Sequence, residues 1–274
     1  MSHPPCITAP PPQTHSLITF PQPSVVLVTF NRPLSLNAMS DTTHHELQSL
    51  FSWLDNEPLL RVAIITGSGR AFCAGADLKE WNSSNSDSKY VGLPLSGFGG
   101  MSRREGKKPI IAAVNGLAYG GGCEMVINAD MVVASEGASF ALPEGKRGVV
   151  AVGGSLTRLM KTVGKQRAME MALTGRVIHA KEAEAWGLVN VVVSSDQVLQ
   201  KALEMSKMIV ESSPDSIIVT RKGVMLGWDA LSADEGTGVL IDNWYPRINK
   251  GENMVEGVAA FVGKRVPRWI PSKL

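Results

Sequence analysis

The sequence predicts an α/β core followed by a helical C-terminal portion. Short β-branched runs alternate with helix-period segments as far as Ser155, and beyond it the periodicity is almost wholly helical. The chain is large enough to bury such a core, with 274 residues of which 44% are hydrophobic.

Taken in order, "MSHPPCITAPPPQTHS" has neither an apolar signal core nor the arginines of a transit peptide, and its prolines predict a flexible tail over residues 1–23. "VVLVTF" (Val25 to Phe30), closed by "NRP", predicts a strand and a turn. Ser40 is placed to cap a helix whose Leu47, Leu50, Phe51 and Leu54 form one apolar stripe, with His44 and His45 expected on its polar face. "VAIITG" (Val62 to Gly67) and "IIAAVNG" (Ile110 to Gly116) predict two further strands; the segment between them from Lys79 to Gly100 predicts a long loop or a loosely held lid. A helix from about Gly121 and a strand at "MVVAS" (Met131 to Ser135) continue the alternation. "VNVVVS" (Val189 to Ser194) is the one late strand expected. The resulting division is a tail over 1–23, an α/β core over 24–205 and a helical region over 206–274.

Composition narrows the function classes. A net charge of +2, from 27 basic and 25 acidic residues, supplies no field that would demand nucleic acid or an anionic membrane. The basic run "RREGKK" (Arg103 to Lys108) is local. Cys6, Cys73 and Cys123 have no metal-ligand spacing and form no disulfide framework, which points to a reducing compartment. No run of about 18 apolar residues is present to span a bilayer. Ser272, Lys273 and Leu274, after a flexible "WIP", spell the peroxisomal address, so an import receptor is an expected partner and the peroxisome the expected location.

Three segments carry candidate chemistry. "GLAYGGGCEMVIN" (Gly116 to Asn128) sets three glycines before Glu124 on an apolar helix. Bare amides at a helix start suit an oxygen gaining negative charge, although the same run also fits a tight strand-to-helix turn. Glu144 follows Glu124 by 20 residues in "SFALPEGKRGVVAVGG", again among apolar residues. Two carboxylates so placed can have their pKa values pushed apart, one serving as base and one as acid, while either alone fits a helix cap or a solvated face. "GRAFCAGADLKEW" (Gly69 to Trp81) offers a further backbone N–H near Ala76.

Together "NRPLSLNAM", "AFCAGADLKE", "KPIIAAVNGLAYGGGCEMVINAD", "FALPEGKRGVVAVGG" and "VGKQRAMEMALTGRVIHAKEAEAWGLVNVVV" resemble the crotonase (enoyl-CoA hydratase/isomerase) family, from about residue 24 to residue 265. The resemblance implies a ClpP/crotonase-like α/β spiral of ββα units with a helical C-terminal trimerisation region, assembled as a homotrimer or a dimer of trimers. It implies an oxyanion hole from the backbone N–H groups of Ala76 and Gly121, with Glu124 activating water and Glu144 supplying a proton, on an acyl-CoA substrate and without a metal or redox cofactor. Coenzyme A contacts implied in the same way are Leu36, Ala38, Ala74, Asp77, Leu78 and Lys79, with Phe261 and Lys264 reaching a neighbouring subunit's nucleotide. Cys123 is read as packing, since no histidine base accompanies it.

The implied activity is enoyl-CoA hydration, the reversible syn addition of water to a trans-2-enoyl-CoA. One departure bears on the acyl group: "GVVAVGG" (Gly148 to Gly154) replaces the "GIIPGAGG" of many short-chain hydratases, and "LPEGKRG" is closer to the carnitinyl-CoA dehydratase-like branch. A Δ3,Δ2-enoyl-CoA isomerase, a dehydratase of a specialised acyl-CoA in secondary metabolism and, from a different class, an RNA-binding homologue remain as alternatives.

Overall fold

The computed structural model describes residues 6–77, 93–229 and 231–274. Among the described residues there are ten strands, nine of which arise from two kinds of sequence. Long β-branched runs give β2 (Val25–Phe30), β3 (Val62–Gly67), β5 (Ile110–Val114), β7 (Met131–Ser135) and β10 (Val191–Val193). These join in parallel as one sheet, with β1 (Ser16–Gln22) pairing antiparallel to β2 at its edge. All five residues of β5 are buried, as befits an inner parallel strand covered on both faces.

Runs of two or three residues of mixed size give β4 (Ala71–Cys73), β6 (Leu117–Tyr119), β8 (Ser139–Ala141) and β9 (Ile178–His179), which form a second sheet in that order. Each of β3, β5 and β7 thus leads within a few residues to a strand of the second sheet. This step repeats down the molecule and builds the expected spiral.

Helix α1 (Asp41–Asn56) starts where expected, with Ser40 Oγ accepting from Thr43 N, and its Leu47, Leu50, Phe51 and Leu54 are buried in the main core. Helix α2 (Gly121–Ile127) follows β6 and is wholly buried. The C-terminal half supplies α3 (Ser155–Val163), α4 (Lys165–Thr174), α5 (Ala180–Ala185), α6 (Val198–Val210), α7 (Pro214–Trp228), α8 (Ala233–Val239), α9 (Tyr245–Ile248) and α10 (Glu252–Val262). Val198 and Ala202 of α6 cover the sheet face made by Val25, Leu27, Val62, Ile64, Ile111, Ala113 and Val133; the other face meets the main core. Among the described residues no helix is long and apolar enough to cross a membrane.

Several expectations are corrected. The flexible tail expected over 1–23 ends earlier, because Ser16–Gln22 alternates inward and outward residues and pairs with β2, with Pro21 tolerated on an edge strand. Residues before it are also held: Glu57 accepts from Ile7 N, Thr8 N and Thr8 Oγ1. The "WIP" segment is anchored rather than flexible, since Trp269 Nε1 donates to Glu211 O and Ile270 N to Asn253 Oδ1. The loose lid expected over Lys79 to Gly100 lies in part outside the described residues, but its end does not conform: Phe98, Gly99 and Gly100 form a buried 3-10 turn against α1 and α2. The second sheet's strands were not anticipated.

Candidate active site

The glycine run is explained by contact on every side. Gly120 turns the chain from β6 into α2 with φ of 54°, and a Cβ there would lie 3.1 Å from Glu144 Oε1. A Cβ on Gly121 would enter the Phe98 ring at 2.3 Å, and one on Gly122 would meet Cys73 O at 2.2 Å. Gly121 is the first helical residue, so the helix itself leaves its N–H without a partner.

The second amide is brought alongside by β4. Met39 bridges the following segment in parallel, donating to Gly75 O at 2.9 Å and accepting from Asp77 N at 2.9 Å. That pattern turns the intervening Ala76 N–H to the opposite edge. There Gly75, at φ of 99°, packs so closely on the Tyr119–Gly121 backbone that a Cβ would lie 3.4 Å from Gly121 N. The Ala76 and Gly121 amides are therefore neighbours, and Ala76 is exposed.

The two carboxylates flank this pair in contrasting surroundings. Glu124, one turn into α2 and buried, accepts from Ser155 Oγ at 2.8 Å and Ser155 N at 3.3 Å, where α3 begins. Burial raises its pKa, while Ser155 and the Gly153 and Gly154 amides pull it back toward the charged form. Glu144 sits over Gly120, and its Oε2 is buried without a hydrogen-bond partner among the described residues. Burial raises its pKa too, its own backbone amide opposes that, and the nearby charge of Glu124 adds to the rise with Arg147 opposing. Glu124 thus has donors that support its anion, whereas among the described residues Glu144 Oε2 has none.

The expected coenzyme contacts divide into three groups. Leu36, Ala38, Ala74 and Asp77 come together: Ala74 N donates to Leu36 O at 3.0 Å, and Arg32 joins Ala38 O at 2.8 Å to the Asp77 carboxylate at 2.9 Å. Leu36 and Asn37 both take positive φ, and the Asn37 amide ties that turn to Ser68 O and Ala71 O. Leu78 and Lys79 lie outside the described residues. Phe261 and Lys264 are not brought into this arrangement; Phe261 is 85% exposed at the end of α10.

One sequence expectation about charge is overturned, and one basic run turns partly inward. His44 is buried rather than on a polar face, and its Nδ1 accepts from Gly99 N at 3.0 Å. The run from Arg103 to Lys108 is not a solvated basic strip: Arg104 is buried against Asp55 at 2.6 Å, and the buried Lys108 ammonium donates to Leu54 O and Glu57 O. Sequence reading also missed Ser155, although a Gly-Gly pair opening a helix beside a polar residue repeats the pattern at Gly121. Cys123 is buried, and burial drives its thiol pKa well up, in keeping with packing.

Comparison with known proteins follows the same lines. A family model described as enoyl-CoA hydratase/isomerase matches residues 21–271. The mevalonyl-coenzyme A hydratase sidH of Aspergillus fumigatus is 52% identical over 94% of this chain and 96% of its own. The mevalonyl-coenzyme A hydratase SIDH of Beauveria bassiana is 49% identical over 97% and 99%. Among solved structures, a probable enoyl-CoA hydratase/isomerase from Mycobacterium abscessus superposes with a TM-score of 0.86 at 36% identity, over 94% of this chain and 99% of that one.

Proposed function

The chain belongs to the enoyl-CoA hydratase/isomerase family, and from that premise we propose that it adds water reversibly across C2–C3 of a 2-enoyl-CoA thioester. The observation that carries this reading is the unequal pair of carboxyls beside two adjacent amides. Glu124, stabilised as an anion by Ser155, takes a proton from water as its oxygen bonds to C3. Electron density moves to the thioester oxygen, where the Ala76 and Gly121 N–H groups hold it; removing one such donor typically costs about 2.7 to 4 kcal/mol of transition-state stabilisation. Glu144 gives its proton to C2. Proton exchange with solvent then resets both carboxyls, and the dehydration runs through the same steps in reverse.

For the acyl group, the similarity to two mevalonyl-coenzyme A hydratases supports a 3-hydroxy-3-methylacyl thioester with a further hydroxyl at C5. The corresponding enoyl partner is 5-hydroxy-3-methylpent-2-enoyl-CoA. The loop from Gly148 to Gly154, where the sequence departs from short-chain hydratases, supports a specialised acyl group in the same sense. An isomerase reading is less well supported, since one carboxyl would suffice for it. Exposed Val255, Val258, Phe261 and Val262 on α10 support self-association, which light scattering would measure.

The test is to incubate the protein with 5-hydroxy-3-methylpent-2-enoyl-CoA in heavy-oxygen water and weigh the product. One labelled oxygen retained in the acyl chain is the expected result. Recovery of unlabelled, unhydrated thioester would overturn the reading.

A further inference from the structure

The buried turn before β5 touches both halves of the site without contributing a group to either. The Phe98 ring fills the space beside Gly121 Cα, where a side-chain carbon would lie 2.3 Å from it. Phe98 N donates to Ser102 Oγ at 2.8 Å, and that hydroxyl donates onward to Gly153 O at 2.6 Å. Gly153 in turn packs against the Glu124 carboxyl, with a Cβ position 2.4 Å from Oε2. One hydroxyl therefore links the turn that backs the Gly121 amide to the turn that cradles the base.

The start of the turn is also fixed by a histidine. Gly99 N donates to His44 Nδ1 at 3.0 Å, and the His44 and Phe98 rings meet edge to face with centroids 4.4 Å apart. Burial, with a smaller contribution from His45, holds the His44 pKa down at about 4, so the ring is neutral and its Nδ1 lone pair is free to accept. Gly99 has a φ of 60°, and a Cβ there would collide with the Met125 side chain of α2 at 2.6 Å. Asn128, at the far end of α2, donates to Met101 O at 2.8 Å. Helix α2, which carries both Gly121 and Glu124, is thus gripped by this turn at its two ends.

We propose that the Phe98–Ser102 turn is a brace that keeps the Gly121 amide and the Glu124 carboxyl in register, with His44 and Ser102 as its positioning residues. The inference rests on the reading of Gly121 as an oxyanion donor and Glu124 as base. Neither positioning residue touches substrate. Each acts by holding backbone whose displacement by an ångström would misplace a reacting group, a shift that can cost about a hundredfold in rate.

The experiment compares His44→Leu, which keeps bulk and removes the acceptor, with His44→Asn, which keeps an acceptor near Nδ1 and removes the ring. Turnover of 5-hydroxy-3-methylpent-2-enoyl-CoA and of crotonyl-CoA is measured beside the infrared stretch of a bound, carbon-13-labelled thioester carbonyl, which reports oxyanion polarisation directly. His44→Leu is expected to lower kcat by about ten- to a hundredfold with KM within about threefold, and to return the carbonyl stretch toward its free value. His44→Asn is expected to keep the wild-type stretch. Equal losses in the two variants, or a wild-type stretch in His44→Leu, would overturn the brace. Should His44→Leu fail to fold, Ser102→Ala decides by the same stretch, wild-type polarisation again counting against the proposal. Wild type that neither turns over nor polarises these thioesters would instead refute the underlying functional reading.

Discussion

The two glutamates are served by opposite kinds of glycine. Before Glu124, Gly121 and Gly122 each face an atom too close for any side chain and Gly120 holds a positive φ, so the backbone there is packed like a core. After Glu144, Gly145 and Gly148 meet nothing within 4 Å, and Val150 and Val152 stand 62% and 73% exposed. The proposed oxyanion side of the site is held by close packing, whereas the proposed acid side is carried on an open loop. On the proposed mechanism, the packed turn fixes where the thioester oxygen sits and the open loop is left to meet the acyl group.

The comparison can be broken most severely at the carboxyls. Glu124→Gln and Glu144→Gln are each expected to lower kcat by about a hundred- to ten-thousandfold while acyl-CoA binding, followed by calorimetry, is retained. Next in size is Gly122→Ala, which drives a methyl into Cys73 O. A loss of about 1 to 3 kcal/mol in chemical unfolding is expected, with turnover reduced beyond what the remaining folded fraction explains.

Smaller effects sharpen the account of each charge. Ser155→Ala removes a hydrogen bond that favours the Glu124 anion, so the base should lose its charge at a higher pH. The low-pH limb of kcat/KM is expected to move up, and an unmoved limb would argue against Glu124 as base. For His44, the folded pKa of about 4 lies below its ordinary value of 6.5, so between these the unfolded chain binds the extra proton. Its stabilisation is complete above pH 6.5 and falls by up to about 3 kcal/mol as pH drops to 4. Glu124 and Glu144, with raised pKa values, act in the opposite sense, and the difference in pH slope between wild type and His44→Leu removes them from the comparison. Gly145→Ala should change stability by less than about 0.5 kcal/mol.

Much of this contrast was legible in the residues themselves. β-branched runs declared every parallel strand of the larger sheet, and the stripe from Leu47 to Leu54 declared α1. The glycine run and the paired glutamates also stood out, because few structural roles ask for three bare residues before a buried carboxylate. The smaller sheet did not, since "AFC", "LAY" and "SFA" are too short to show a period of two. His44 was misplaced although its spacing of three and seven residues to Leu47 and Phe51 puts it on the apolar stripe; polarity outweighed position. Ser102 and Ser155 were invisible for a different reason, because each matters through a partner about 30 or 50 residues away that only the fold brings near.

The central claim is best tested by following the loss of enoyl-thioester absorbance with wild type, Glu124→Gln and Glu144→Gln side by side, on crotonyl-CoA and on 5-hydroxy-3-methylpent-2-enoyl-CoA. The account predicts that wild type hydrates the branched hydroxyacyl substrate with the higher kcat/KM and that both variants bind it with turnover nearly abolished. Near-normal turnover by either variant would contradict the two-carboxyl mechanism.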